Sequence, residues 1–181
     1  MVLKQVRYAY LMLTALERSV NEWQKNLNQL FWTHHVLLRF QLEAIREGNA
    51  GLNAHMQGML DRAPEVGDSS IFQHEALKLI DLAYLTAKTG YEFAIFRGKD
   101  LDILFHGDAR HCEFQETLVD MLITHKLEIL GHSHPGEDDP VPSPGDRQAL
   151  RIIGQKRSVV VSGRTGRMKE FGQSPFEDYG L

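Results

Sequence analysis

The stretch Tyr91-Glu92-Phe93-Ala94-Ile95-Phe96-Arg97-Gly98-Lys99-Asp100-Leu101-Asp102-Ile103-Leu104-Phe105-His106 holds two apolar runs separated by Gly-Lys-Asp. Aromatic and β-branched residues suit a pleated, half-buried surface, and the Gly-containing triplet supplies a turn. Residues 91–97 and 101–106 therefore read as two paired strands. Upstream, Ser69 and Ser70 are N-cap candidates for a helix over residues 71–88. Its apolar face is Ala76, Leu77, Ile80, Ala83, Tyr84 and Ala87, with Asp81 at the edge and Gly90 just past its end. Downstream, residues 114–126 read as a helix and 127–131 as a short strand. A polar, proline-rich loop follows at 135–145, then a helix at 146–155. Residues 158–162 are strongly β-prone, and Gly163-Arg164-Thr165-Gly166 turns them into a strand at 167–171. The tail from Gly172 is expected to be irregular. No internal repeat is present. Strands separated by helices give an α/β or α+β fold.

The N-terminal part differs. Residues 2–47 contain no Gly and no Pro. Val6, Leu13, Val20, Leu27, His34 and Gln41 form one heptad set; Val2, Ala9, Leu16, Trp23, Leu30, Leu37 and Ala44 form the other. Eleven of these thirteen are apolar, which predicts one long amphipathic helix, or two broken near Ser19-Val20-Asn21. Tyr10, Phe31, Leu38 and Ile45 widen the stripe beyond a two-stranded seam. Such a helix either makes an oligomer or docks a partner, or else covers the second half of its own chain. Residues 48–68, with Gly48-Asn49-Ala50-Gly51 and Arg62-Ala63-Pro64, form the boundary, interrupted by a short helix around residues 52–60. The expected division is a helical region at 1–68 and a mixed domain at 69–181.

Composition excludes several classes. The 181 residues carry 20 basic and 24 acidic side chains, a formal net charge of -4, so nothing suggests a nucleic-acid footprint. A single cysteine, Cys112, cannot form an internal disulfide. No apolar run is long enough to span a membrane. Residues 8–16 follow Lys4 and Arg7 and imitate a signal-peptide core, but lead straight into Glu17 and Arg18 without a small-residue cleavage site. A cytoplasmic protein is expected. Nine histidines against one cysteine mean that any metal would be held by imidazoles and carboxylates.

The chemistry is concentrated in Leu130-Gly131-His132-Ser133-His134-Pro135 and Ser143-Pro144-Gly145-Asp146. Two histidines two apart on a strand point to the same side and can share one metal ion. Asp146, at the start of a helix, can supply a third ligand. Two His and one carboxylate leave a fourth position for water, the open arrangement of catalytic zinc. Water activated in this way needs a general base to pass its proton to a leaving amine. Glu92, beside a strand that can neighbour that of His132, is one choice. Glu128, which shares a face with His132 and His134 if alternation holds, is the other. Ser143 can donate to the carbonyl oxygen as it becomes an oxyanion. His34, His35, His55, His74, His125, and the loose group His106, His111 and Cys112, read as structural or surface residues.

These segments resemble the signature of the JAMM metalloproteases, also called JAB or MPN-plus domains. That signature is a glutamate on an early strand, then His-x-His, a seven-residue gap and Ser-x-x-Asp. The segment from Tyr91 to Lys99 is similar to the family's glutamate-bearing strand. The resemblance covers roughly 100 residues and none of the N-terminal helical region. It implies a curved β-sheet flanked by helices, a zinc ion held by His132, His134 and Asp146, Glu92 as acid/base, and Ser143 supporting a tetrahedral intermediate. Two departures stand out. The gap before Ser143 holds eight residues, 135–142, and Phe93-Ala94 follow the glutamate where a Cys-Gly pair is frequent. One added loop residue costs little. The implied activity is cleavage of a peptide or isopeptide bond, including bonds to ubiquitin-like tails. Only 39 residues separate Glu92 from His132 and 35 follow Asp146, so the chain is similar to the compact prokaryotic members. A non-catalytic interaction scaffold and a hydrolase of a small amide are the alternatives. Glu137, Asp138 and Asp139 beside the site suit a basic substrate tail, or are a solvated acidic loop.

Overall fold

A computed structural model describes residues 2–63, 65–110, 116–175 and 179–180, with side chains for 18–30, 32–63, 65–110 and 118–175. The chain divides into two compact units, Met1–Leu37 and Leu38–Leu181. Helix α1 (Val2–Arg46) crosses this division. It has no break at residues 19–21, as expected of a segment lacking Gly and Pro. In the first unit Val20, Trp23, Leu27 and Leu30 are exposed. In the second unit the last turns of α1 bury Leu38, Leu42 and Ile45. This division lies at 37/38, upstream of the 68/69 boundary expected from composition. Residues 38–68 share one core with the strands, because Met59 and Ala63 of the next segment are buried there too.

That segment is α2 (Ala54–Arg62), N-capped by Asn53, whose side chain accepts from Met56 N–H at 2.9 Å. The helix expected at 71–88 is replaced by strand β1 (Ser69–Gln73) and helix α3 (Leu79–Thr89). Ser69 to Gln73 pair antiparallel with the second strand of the central hairpin. Phe72 is buried beneath the Arg62 guanidinium at 3.8 Å. Glu75 takes a positive φ of 60°, a conformation that breaks a helix. Helix α3 starts where the Asp81 carboxylate accepts from Lys78 N–H at 2.8 Å, and it ends on left-handed Gly90.

The hairpin is β2 (Phe93–Arg97) and β3 (Leu101–His106), in the register Phe93↔His106 to Arg97↔Asp102. Helix α4 is described over Glu116–Thr124, and strand β4 over Glu128–His134. Residues 111–115 lie outside the described residues, so the helix start expected at 114 and the roles assigned to His111 and Cys112 fall there. Then come α5 (Pro144–Ile153), β5 (Arg157–Ser162), β6 (Met168–Gly172) and a two-residue β7 (Tyr179–Gly180) where an irregular tail was expected. The strands form one mixed sheet in the order β1-β3-β2-β4-β5-β6-β7. Only β4 and β5 pair in parallel, which suits the crossover through α5 between them.

Alternation along the strands builds a core on each face. Phe93, Ile95, Leu104 and Val161 face α3, α2 and the end of α1. Ala94, Phe96, Ile129 and Val160 face α4 and α5. The fold is the expected α+β arrangement, a helix-flanked sheet preceded by a helical region. Among the described residues no helix is long and apolar enough to cross a membrane.

Candidate metal centre

Strand β4 positions both histidines. Ala94 of β2 pairs with His132, while Val160 and Ser162 of β5 pair with His132 and His134. The residue between them works on the other face. Ser133 is fully buried; its Oγ lies 2.6 Å from Thr86 Oγ1 of α3 and accepts from Phe93 N–H at 2.9 Å. This unanticipated role ties β4 to β2 and α3 and fixes the pitch of the two imidazoles. The His132 ring packs edge-on against Phe171, with centroids 5.7 Å apart.

The carboxylate comes from α5. Ser143 is the N-cap, its Oγ accepting from Asp146 N–H at 3.1 Å, and Ser143 N–H donates to Asp146 Oδ2 at 2.6 Å. This reciprocal capping box, with Pro144 at the first helical position, starts the helix two residues earlier than expected. It also aims the Asp146 carboxylate at β4. His132 Nε2 lies 3.2 Å from Asp146 Oδ1 and 3.2 Å from His134 Nε2; His134 Nε2 lies 3.6 Å from Asp146 Oδ2. All three residues are buried or half-buried, and one ligand atom from each lies within 4.8 Å of the others.

These separations fit a small tetrahedral cation. Bonds of about 2.0–2.1 Å to nitrogen and oxygen give tetrahedral edges of about 3.3 Å. A single shared proton satisfies one pair of these atoms; a cation satisfies all three together. The local field suits one. Burial works against charge on His134, but Asp146, Glu92 and Glu137 outweigh it and raise its pKa. Burial likewise pushes the Asp146 carboxyl up, yet the His132 and His134 imidazoles beside it and the Ser143 N–H hold it well below the usual carboxylate range.

The two candidate bases part company. Glu92 precedes β2; its N–H donates to Asp108 O and its carbonyl accepts from Gly107 N–H, both at 2.8 Å. By alternation it falls on the face of Ala94, and hence of His132. It is buried at 6% exposure and lines the same cleft as His132, His134, Ser143 and Asp146. Glu128 is exposed at the far end of β4 and does not line that cleft. The face-sharing expected of it fails for a local reason. Ile95 pairs with Gly131 but Phe96 pairs with Ile129, so Leu130 is an extra, bulged residue and alternation inverts across it.

The cleft has a volume of about 1100 Å³, and Ile129, Val141, Leu150 and Phe171 give it apolar walls. Two of the three acids in the loop before α5 are engaged by the chain itself. Glu137 Oε2 accepts from Val141 N–H at 2.8 Å and lies 3.5 Å from His134 Nδ1. Asp138 pairs with Arg39 at 3.4 Å and Arg164 at 3.2 Å. His106 is buried, its Nδ1 2.9 Å from Ala63 O and its ring stacked on Phe93 at 4.3 Å, a structural histidine as expected. His34, His55, His74 and His125 are exposed. No family model matches the chain, and no curated protein matches it in sequence.

Proposed function

We propose that the chain is a zinc-dependent hydrolase of peptide or isopeptide bonds, with a peptide or the tail of a ubiquitin-like protein as substrate. The observation that carries this is the convergence of His132 Nε2, His134 Nε2 and the Asp146 carboxylate, with contacts of 3.2 to 3.6 Å, in a cleft that also holds the buried carboxyl of Glu92. Two imidazoles and one carboxylate are a zinc donor set that leaves a coordination position open. A bound zinc ion would supply Lewis acidity, polarising a substrate carbonyl and bringing the pKa of water to about 7.

The chain's own groups supply the rest. The Glu92 carboxylate takes the proton of the attacking water and delivers it to the departing amine. The Ser143 hydroxyl accepts from Asp146 N–H, so its own proton is available to the carbonyl oxygen as negative charge develops there. The apolar walls at Ile129, Leu150 and Phe171 exclude water and hold the chain flanking the scissile bond. The exposed heptad residues of α1 serve a homo-oligomer or a docked partner.

A second reading has one observation behind it. Ser143 and Asp146 already serve as a helix cap, so the same residues suit a scaffold that never hydrolyses anything. Incubating the zinc-loaded chain with peptides and with isopeptide-linked ubiquitin-like conjugates separates the two. Hydrolysis that a chelator stops and Glu92→Gln abolishes is expected. Turnover that survives the chelator, or that Glu92→Gln leaves intact, contradicts the proposal, and no turnover of any conjugate favours the scaffold.

A further inference from the structure

We propose that Glu137 is a positioning residue for His134, holding its imidazole so that Nε2 rather than Nδ1 is offered to a cation. This rests on the metal reading of the site and concerns a residue outside the three ligands. His134 Nε2 converges on His132 Nε2 and Asp146, so Nδ1 is the outward nitrogen. Glu137 Oε2 lies 3.5 Å from that Nδ1. A carboxylate there accepts Nδ1–H, leaves the lone pair on Nε2 and raises its basicity.

The geometry that presents Glu137 is built rather than incidental. Its Oε2 is also held by Val141 N–H at 2.8 Å, which curls the loop back over the side chain. Its carbonyl oxygen accepts from Ser162 Oγ, and the next carbonyl, of Asp138, accepts from Thr165 Oγ1 at 2.7 Å. Asp138 is anchored in turn by Arg164 and Arg39. The backbone is thus fastened to the β5–β6 turn at two successive residues, and that fastening delivers the Glu137 carboxylate to the imidazole. Placed this way, Glu137 acts on the metal ligand and not on a basic substrate tail.

The test uses the full chain, with zinc affinity measured by competition against a chromophoric chelator. In parallel, the His134 tautomer of the metal-free chain is read by ¹⁵N NMR at a pH high enough that the ring's shifts no longer change, because the surrounding carboxylates raise its pKa. The unaltered chain is expected to bind one zinc ion, and His134→Ala to lose that site. Glu137→Ala is expected to weaken zinc binding about 10–100-fold and to move metal-free His134 from Nδ1–H toward Nε2–H. Glu137→Gln, whose amide oxygen still accepts, should keep the Nδ1–H tautomer and bind with intermediate affinity. Should Glu137→Ala melt well below the unaltered chain, Glu137→Asp, which keeps the charge but falls short by one methylene, is expected to give the same two changes. A loss of affinity without a tautomer change means that Glu137 acts only through the loop, and overturns the proposal. So does a tautomer change without a loss of affinity, or neither change. Absence of zinc from the unaltered chain, or its retention in His134→Ala, sinks the metal reading itself.

Discussion

One carboxylate serves two masters at Asp146. Oδ2 accepts the Ser143 N–H that starts α5, while Oδ1 faces His132 Nε2. The cap and the ligand can be separated by substitution. Asp146→Asn keeps an acceptor for Ser143 N–H and loses the charge, so metal affinity should fall steeply while the melting temperature of the metal-free chain changes little. Asp146→Ala removes both and should cost about 1 kcal/mol more. Equal zinc affinity in the Asn variant would remove Asp146 from the ligand set. Glu92→Gln keeps the three ligands, so zinc content should stay at one per chain while turnover falls by about 10²–10⁴; loss of the metal in that variant would make Glu92 a ligand and not a base. The grouping of His132, His134 and Asp146 was legible because its spacing is local: two residues along a strand, and a capping sequence four residues long. The approach of Glu137 to His134 was not, because it depends on where a loop turns back, which residue types alone do not specify.

At the scale of the element, β4 carries the site through its bulge. A side chain on Gly131 would come within 2.5 Å of Leu79 Cδ2 and 2.8 Å of Val159 O. The first neighbour can rotate away; the second is backbone in the parallel partner strand. Gly131→Ala should therefore destabilise by about 1–3 kcal/mol and displace His132, with thermal melting and zinc affinity falling together. An unaltered melting temperature would show that the β4–β5 spacing is not tight. The same bulge explains why Glu128 misled, since a period-two pattern cannot register an inserted residue. The strands at 93–97, 101–106 and 157–162 announced themselves by composition. Residues 69–73 did not: Ser-Ser before an apolar pair is as good a helix start as a strand, and pairing with β3, a long-range event, decided it.

For the whole molecule, two buried groups set the acid limit. Arg97 grips the fully buried Asp102 with two bonds of 2.9 and 2.8 Å, and both reach the backbone of Leu77. Removing either partner leaves a charge stranded, so Arg97→Ala should cost about 3–5 kcal/mol, read as a urea midpoint shift. For His106, burial lowers the imidazole pKa against the opposing pull of Ala63 O and Asp68. The unfolded chain therefore binds more protons than the folded one below about pH 6.5. Stability is full above that pH and is lost as pH falls below it. His106→Gln should lose stability at pH 7 but lie closer to the unaltered chain at pH 5.5, and a constant difference between the two would contradict this. A chain lacking residues 1–37 should keep its cooperative melt, because among the described residues the core begins at Leu38, whereas a start at residue 69 should not fold. The heptads marked α1 in the sequence, but not where along it burial begins. That depends on which turns meet the sheet.

The central claim is that His132, His134 and Asp146 hold a metal ion. Crystals of the full chain grown with one equivalent of zinc, with diffraction measured on both sides of the zinc absorption edge, test it most directly. The account predicts one anomalous peak bonded to both Nε2 atoms and Asp146 Oδ1, beside Glu92 and open to the cleft. A peak elsewhere, or none with Asp146 occupied only as the cap of α5, would contradict it.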